Sequence, residues 1–267
     1  MHFAYVIAGS EATGGAGIQA DLKTFQQLGV YGIGTITCIV SFDPKNDWAH
    51  RFVPIDPGVI ADQFEAATAS QDLDTVKIGM LGTPATIDAV AAALTSQPWR
   101  HVVLDPVLIC KGQEPGAALN TDNALKAKIL PLASVVTPNN FEARALSGLD
   151  RLDSVDDLAE AGRRILSHGP AAVVVKGGID FPGPDAVDVL VRRRPGAAPE
   201  VEVLSVPKIG SARVSGAGCT FASAITAELA KGASVSAAVR TAKDFVTRGI
   251  AARVSAHTPF DTVWPGA

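Results

Sequence analysis

Ala172-Val173-Val174-Val175-Lys176-Gly177-Gly178 reads as a short apolar strand that ends abruptly in a lysine and two glycines. Consecutive small and β-branched apolar residues suit a buried strand. The same pattern recurs along the chain. Apolar, β-branched runs stand at Phe3–Ala8, Gly32–Ser41, Val76–Met80, Val102–Leu104 and Ser134–Val136. Between most of them lie helical patterns, at Ile18–Leu28, Val59–Ala69, Ala85–Leu94, Asn123–Ile129 and Leu158–Leu166. Thr83 before Pro84 and Ser154 are helix-start residues, and Gly148 is a stop. Asp185–Val191 and Glu200–Leu204 alternate like a hairpin with Pro195-Gly196 between them. Two last helices follow, from Cys219 to Ala230 and from Val235 to about Val254. This order predicts one α/β domain over residues 1–267, with a mostly parallel central sheet and a small hairpin.

Composition narrows the partners. The 267 residues are 47% apolar, ample for a core, and the net charge is −4. No basic footprint for nucleic acid or an anionic membrane follows from that balance. Arg192-Arg193-Arg194, the one dense basic run, reads as a solvated hairpin tip. Phe3–Ala8 is too short for the apolar part of a secretion signal, and no stretch is long enough to span a bilayer. Cys38, Cys110 and Cys219 are an odd, sparse set unsuited to a disulfide framework, so a cytoplasmic protein is expected.

In open α/β sheets ligands bind beyond the carboxyl ends of the strands. Five successive strand ends here carry glycine, charge or amide: Gly9-Ser10-Glu11, Met80, Asp105, Thr137-Pro138-Asn139 and Lys176-Gly177-Gly178. Lys176 can meet a phosphate as a point charge, and taken alone it equally fits a lysine reaching to the surface. Asp105 suits a role beside Mg²⁺ or water, or simply starts the turn before Pro106. Val214-Ser215-Gly216-Ala217-Gly218-Cys219-Thr220 is a turn of small residues that sets a cysteine on the first turn of a helix. Free amides there hold anions and favour a thiolate, which suggests phosphoryl transfer. By itself the segment reads more readily as a turn packing helix to strand. The first loop, Gly9 to Asp21, lacks the ending of a P-loop. Gly15–Ala20 formally matches the loose dinucleotide fingerprint, but no acid follows at the required distance, Asp43 coming too late.

Taken in order, the motifs resemble those of the hydroxymethylpyrimidine/phosphomethylpyrimidine kinases of the ribokinase superfamily. They are Ala8-Gly9-Ser10 with Gly14 to Phe25, Lys77 to Leu81, Leu104 to Val107, Leu130 to Ala133, Thr137 to Asn139, Val175 to Gly178 and Gly216 to Thr220. The likeness runs from about Tyr5 to Ile250. Asp43 to His50, Cys110-Lys111-Gly112 and Phe141-Glu142-Ala143 further resemble the pyridoxal kinases built on that scaffold, which carry one cysteine on a flap and one at the anion hole.

The resemblance implies a three-layer ribokinase-like fold with a flap, and an enzyme that uses ATP and Mg²⁺ to phosphorylate the hydroxymethyl group of pyridoxal. Asp105, Asn139, Glu142, Lys176 and Asp188 would meet the nucleotide, with Asn139 and Glu142 organising Mg²⁺. Gly216, Ala217 and Gly218 would form the anion hole, Cys219 would accept the hydroxyl proton, and Gly9, His50, Met80 and Val107 would line the ring pocket. Cys110 could add to the aldehyde of pyridoxal as a hemithioacetal, which a pyrimidine alcohol does not allow. A homodimer acting on a small molecule is expected. Two departures are Glu11 where relatives carry Asp, and Val214-Ser215 where they carry Thr-His, with Arg213 as a candidate compensating charge. The alternatives are a hydroxymethylpyrimidine kinase, a vitamin B6-binding protein with little turnover, and a nucleotide-dependent oxidoreductase.

Overall fold

The computed structural model describes residues 1–108 and 115–267, and of 115–118 the backbone alone. The strands are β1 (His2–Glu11), β2 (Val30–Asp43), β3 (Ala49–Pro54), β4 (Thr75–Ile78), β5 (His101–Leu104), β6 (Val135–Val136), β7 (Ala172–Lys176), β8 (Asp185–Arg194) and β9 (Ala197–Pro207). The helices are α1 (Gly17–Gln27), α2 (Pro57–Ser70), α3 (Pro84–Thr95), α4 (Pro115–Lys128), α5 (Asn140–Ser147), α6 (Val155–Leu166), α7 (Ala217–Ala230) and α8 (Val235–Ala251). All these strands share one sheet in the order β3-β2-β1-β4-β5-β6-β7-β8-β9. The six from β2 to β7 run parallel, β3 closes one edge antiparallel, and β8 and β9 close the other.

The period-two alternation of each strand sorts the core into two layers. Tyr5, Ile7, Val76, Ile78, Val173 and Val175 point to the face covered by α2 to α6. Ala4, Val6, Ala8, Ala172 and Val174 point to the face covered by α1, α7 and α8. Burying each Val or Ile contributes roughly 1.5–3 kcal/mol, so Ala172–Val175 is locked in place from both sides. The expected α/β architecture, helices on both faces of a mostly parallel sheet, is the one observed.

Three details differ from the reading of the sequence. β3 was not among the strands read from the sequence. It is an edge strand with mostly exposed side chains, so it lacks an apolar signature. It pairs Ala49 with Asp43 and Phe52 with Val40, after a turn in which Asp47 and Trp48 adopt positive φ of 46° and 55°. α4 begins at Pro115, earlier than its apolar pattern. The basic run ends β8 at the hairpin turn with Arg193 and Arg194 exposed, as expected, but part of it is tied down. Arg192 lies within β8 and pairs with Glu200 across the ladder at 3.0 Å, and Arg193 Nε donates to the Pro170 carbonyl at 2.8 Å. No described helix is long and apolar enough to cross a membrane.

Candidate active site

Because β1, β4, β5, β6 and β7 are parallel, the five polar strand ends gather on one rim of the sheet. Asp105 follows β5, Asn139 follows β6, and Lys176 ends β7. The Lys176 amide donates to the Pro138 carbonyl at 2.8 Å, and its Nζ donates to Asp105 Oδ1 at 3.1 Å. Both side chains are largely buried. Burial opposes the Lys176 charge, but Asp105 and then Glu142 outweigh it and raise its pKa. Burial likewise opposes the Asp105 carboxylate, and Lys176 and Lys77 hold it below the usual range.

Asn139 and Glu142 start α5 as a capping box. The Asn139 side chain accepts from the Glu142 amide at 3.0 Å, and Glu142 Oε2 accepts from the Asn139 amide at 2.8 Å. Burial pushes the Glu142 carboxyl up to about 8, with Lys176 opposing and Asp105 adding to the shift.

The first turn of α7 packs against this group. A Cβ on Gly218 would lie 3.3 Å from Lys176 Nζ and 3.6 Å from Asp105 Oδ2. Gly216 caps the helix with φ of 79°, and a Cβ there would stand 1.9 Å from the Gly15 carbonyl, so only glycine fits. No side chain caps the turn, which leaves its amides for an anion.

Two cavities flank the turn. The larger, about 840 Å³, is lined by Asn139, Glu142, Lys176, Asp188, the Gly216–Gly218 turn and Lys243. The smaller, about 350 Å³, is lined by Gly9, His50, Lys77, Met80, Cys219 and two phenylalanines, Phe42 and Phe260. Val107, Arg213 and Val214 line both. Every expected site residue among the described ones therefore lies at one cavity, the other, or the Asp105–Lys176 pair between them. Cys110 lies outside the described residues.

One expectation changes. The helix start was expected to favour a thiolate at Cys219. Burial instead pushes the thiol up to about 11, against the pull of Lys77 and a hydrogen bond from the Gly17 amide. Arg213, the candidate compensating charge, lines both cavities and pairs at the surface with Asp180 at 2.7 Å. Glu11 is an organiser of the glycine loop. Its carboxylate accepts from the amides of Thr13 at 2.5 Å, Gly15 at 3.1 Å and Ala16 at 3.2 Å, and from the Thr13 hydroxyl at 2.7 Å.

The sequence reading assigned no role to Asp21 and Lys77. In β4, Val76 and Ile78 face the α2–α6 layer, so Lys77 faces α1 and α7. There its Nζ donates to both oxygens of Asp21 at 2.9 Å, and the Ser223 hydroxyl donates to Asp21 Oδ1 at 2.6 Å. Both charged side chains are 0% exposed. Asp21 outweighs the effect of burial on Lys77 and raises its pKa. The only sign in the sequence was a lysine inside the apolar run Val76-Lys77-Ile78.

The model of the phosphomethylpyrimidine kinase family matches residues 11–263. The chain belongs to this family. It is 44% identical to the pyridoxine kinase of Bacillus subtilis strain 168 over 94% of this chain and 90% of that one. The crystal structure of an ADP complex of Bacillus subtilis pyridoxal kinase superposes with a TM-score of 0.93 at 42% identity, covering 100% of this chain and 98% of the other. The pyridoxal kinase from Staphylococcus aureus in complex with AMP-PCP and pyridoxal superposes with a TM-score of 0.90 at 36% identity, covering 100% and 94%.

Proposed function

We propose that the protein is an ATP-dependent kinase that transfers a phosphoryl group to the hydroxymethyl oxygen of pyridoxal, and accepts pyridoxine and pyridoxamine as well. One observation carries this reading: two cavities of unequal size meet at the uncapped first turn of α7, with Lys176 lining the larger and Cys219 the smaller. The larger cavity takes the nucleotide, with its terminal phosphate at Lys176. The smaller takes the flat ring, with its hydroxyl at Cys219. The hydroxyl oxygen attacks the terminal phosphorus, the bond to the bridging oxygen breaks, and ADP leaves. Charge gathering on the transferred group is met by Lys176 and the Gly216–Cys219 amides, which need no reorganisation. The hydroxyl proton passes to the Cys219 sulfur, with Lys77 beside it favouring the thiolate.

The named relatives support the vitamin B6 reading over a pyrimidine alcohol, since relatives 44% and 42% identical over nearly the full chain carry pyridoxine and pyridoxal in their names. A steady-state panel with ATP on pyridoxal, pyridoxine, pyridoxamine and hydroxymethylpyrimidine tests it. The highest kcat/KM is expected for a B6 vitamer. A much higher value for hydroxymethylpyrimidine would give the function to the runner-up, and binding without turnover would make this a carrier.

Mg²⁺ is part of the proposal. Among the described residues no cluster of three or more ligating side chains exists. Asp105 and Glu142 instead place two carboxylates near Lys176, which fits an ion held mainly by phosphates. Bound there, Mg²⁺ would neutralise phosphate charge. Glu142, protonated near neutrality at about 8, should then lose its proton, because a nearby cation favours the carboxylate. Calorimetric titration with ATP and Mg²⁺ at pH 7, in buffers of different ionisation enthalpy, is expected to show net proton release that Glu142→Gln abolishes. Equal release by the variant would exclude Glu142 as the source.

A further inference from the structure

The chain beyond α8 received no role from the sequence, and its geometry gives it one. Arg253 Nε and the Ser255 hydroxyl donate to the Asp261 carboxylate at 2.8 and 2.7 Å, which folds the segment on itself. Val254 and Thr262 exchange backbone hydrogen bonds at 2.8 and 2.9 Å. The folded segment is then fastened to the anion-hole loop. The Ser215 amide donates to the Asp261 carbonyl at 2.8 Å, and the Val263 amide donates to the Ser215 carbonyl at 3.0 Å. On its other side Thr262 lies against the glycine loop, where a Cβ on Gly15 would come within 2.4 Å of Thr262 Cγ2. The missing Cβ of Gly15 thus admits Thr262.

This double attachment fixes the residue two positions before Thr262. Phe260 is half-buried and lines the smaller cavity. Its ring lies 5.2 Å from that of Phe42 at 55°, and Phe42 meets the His50 ring edge-on at 4.6 Å and 83°. Phe42 and His50 come from the β2–β3 hairpin at the sheet edge, whereas Phe260 comes from the other end of the chain. The aromatic group is assembled only because the terminal segment returns to the site.

We infer that the segment from Val254 to Val263 is a built wall of the acceptor pocket, and that Phe260 is a specificity-determining residue that packs its ring against the flat heteroaromatic ring of the acceptor. This rests on the proposed kinase reading for the identity of the acceptor. The geometry favours a flat ring because an aromatic face or edge rewards a second aromatic in offset or edge-on contact, beyond the area buried. A flexible sugar alcohol of similar size gains nothing equivalent.

The test uses the full chain with Phe260→Ala, Phe260→Leu and Phe260→Tyr. KM for ATP and KM for the acceptor are measured separately, the acceptor being the heteroaromatic alcohol the wild type turns over fastest. Phe260→Ala is expected to raise the acceptor KM roughly tenfold, the upper end of an aromatic pair contribution, while KM for ATP stays within about twofold. Phe260→Tyr should restore the acceptor KM. Phe260→Leu keeps an apolar side chain of similar reach, guards against a misfolded alanine variant, and should still raise the acceptor KM several-fold. An unchanged acceptor KM, or equal increases in both constants, would overturn the assignment. No turnover of any heteroaromatic alcohol by the wild type would instead defeat the kinase reading. In that case, direct binding of pyridoxal to wild type and Phe260→Ala still decides Phe260: weaker binding by the variant supports the wall, and equal binding removes it.

Discussion

Cys219→Ala is expected to lower kcat by roughly a hundredfold or more, the scale on which a positioned proton acceptor contributes. ATP affinity should change far less, since Cys219 lines the smaller cavity and Lys176 lines the larger. The pH profile separates a proton acceptor from a packing residue. The thiol is pushed up to about 11 by burial, so the acceptor form is a minority near neutrality and grows with pH. Its fraction rises about tenfold per pH unit below that value. The wild-type rate should therefore climb between pH 7 and 9, and Cys219→Ala should be flatter over the same range. Near wild-type turnover with an unchanged profile would leave the thiol as a small residue filling the turn.

Lys77→Met should produce the largest loss of stability. It strands the Asp21 carboxylate at 0% exposure with only the Ser223 hydroxyl beside it. Removing one partner of a buried ion pair typically costs about 3–5 kcal/mol, a large part of the stability of an ordinary domain. Urea denaturation reads the loss directly. The double variant Asp21→Asn with Lys77→Met should recover much of it, because no unpaired charge then remains buried. If the single variant were as stable as wild type, the ion pair would not be contributing as its geometry implies. Activity is the second reading. A stable double variant still lacks the ammonium near Cys219, so its rate should stay low.

Much of this was visible in the order of residues, and the reasons differ by element. Val173, Val174 and Val175 declare a buried strand because both faces of that strand are covered, so nothing polar interrupts the run. Lys176 stands out because it breaks the run at the rim where ligands gather. β3 gave no such signal, since one edge strand with exposed side chains looks like a loop until its partner β2 is known. Lys77 was quoted within a motif yet carried no assigned function. Its meaning depends on Asp21, 56 positions away, and on Ser223, 202 positions from Asp21. Phe260 was invisible for the same reason, because what gives it a role is the pairing of Ser215 with Asp261 and Val263. Motif order conveys the rim of the sheet well. It says little about which long-range partners stand behind the rim.

The central claim is that the smaller cavity presents the hydroxymethyl oxygen of a B6 vitamer to ATP held at Lys176. The most direct measurement is a competition in one vessel, with equimolar pyridoxal and hydroxymethylpyrimidine, limiting ATP and Mg²⁺, and both phosphorylated products quantified by mass spectrometry. The product ratio equals the ratio of the two kcat/KM values at equal concentrations. Pyridoxal phosphate is expected to dominate the mixture. A mixture dominated by phosphorylated hydroxymethylpyrimidine, or ATP left unconsumed, would contradict the account.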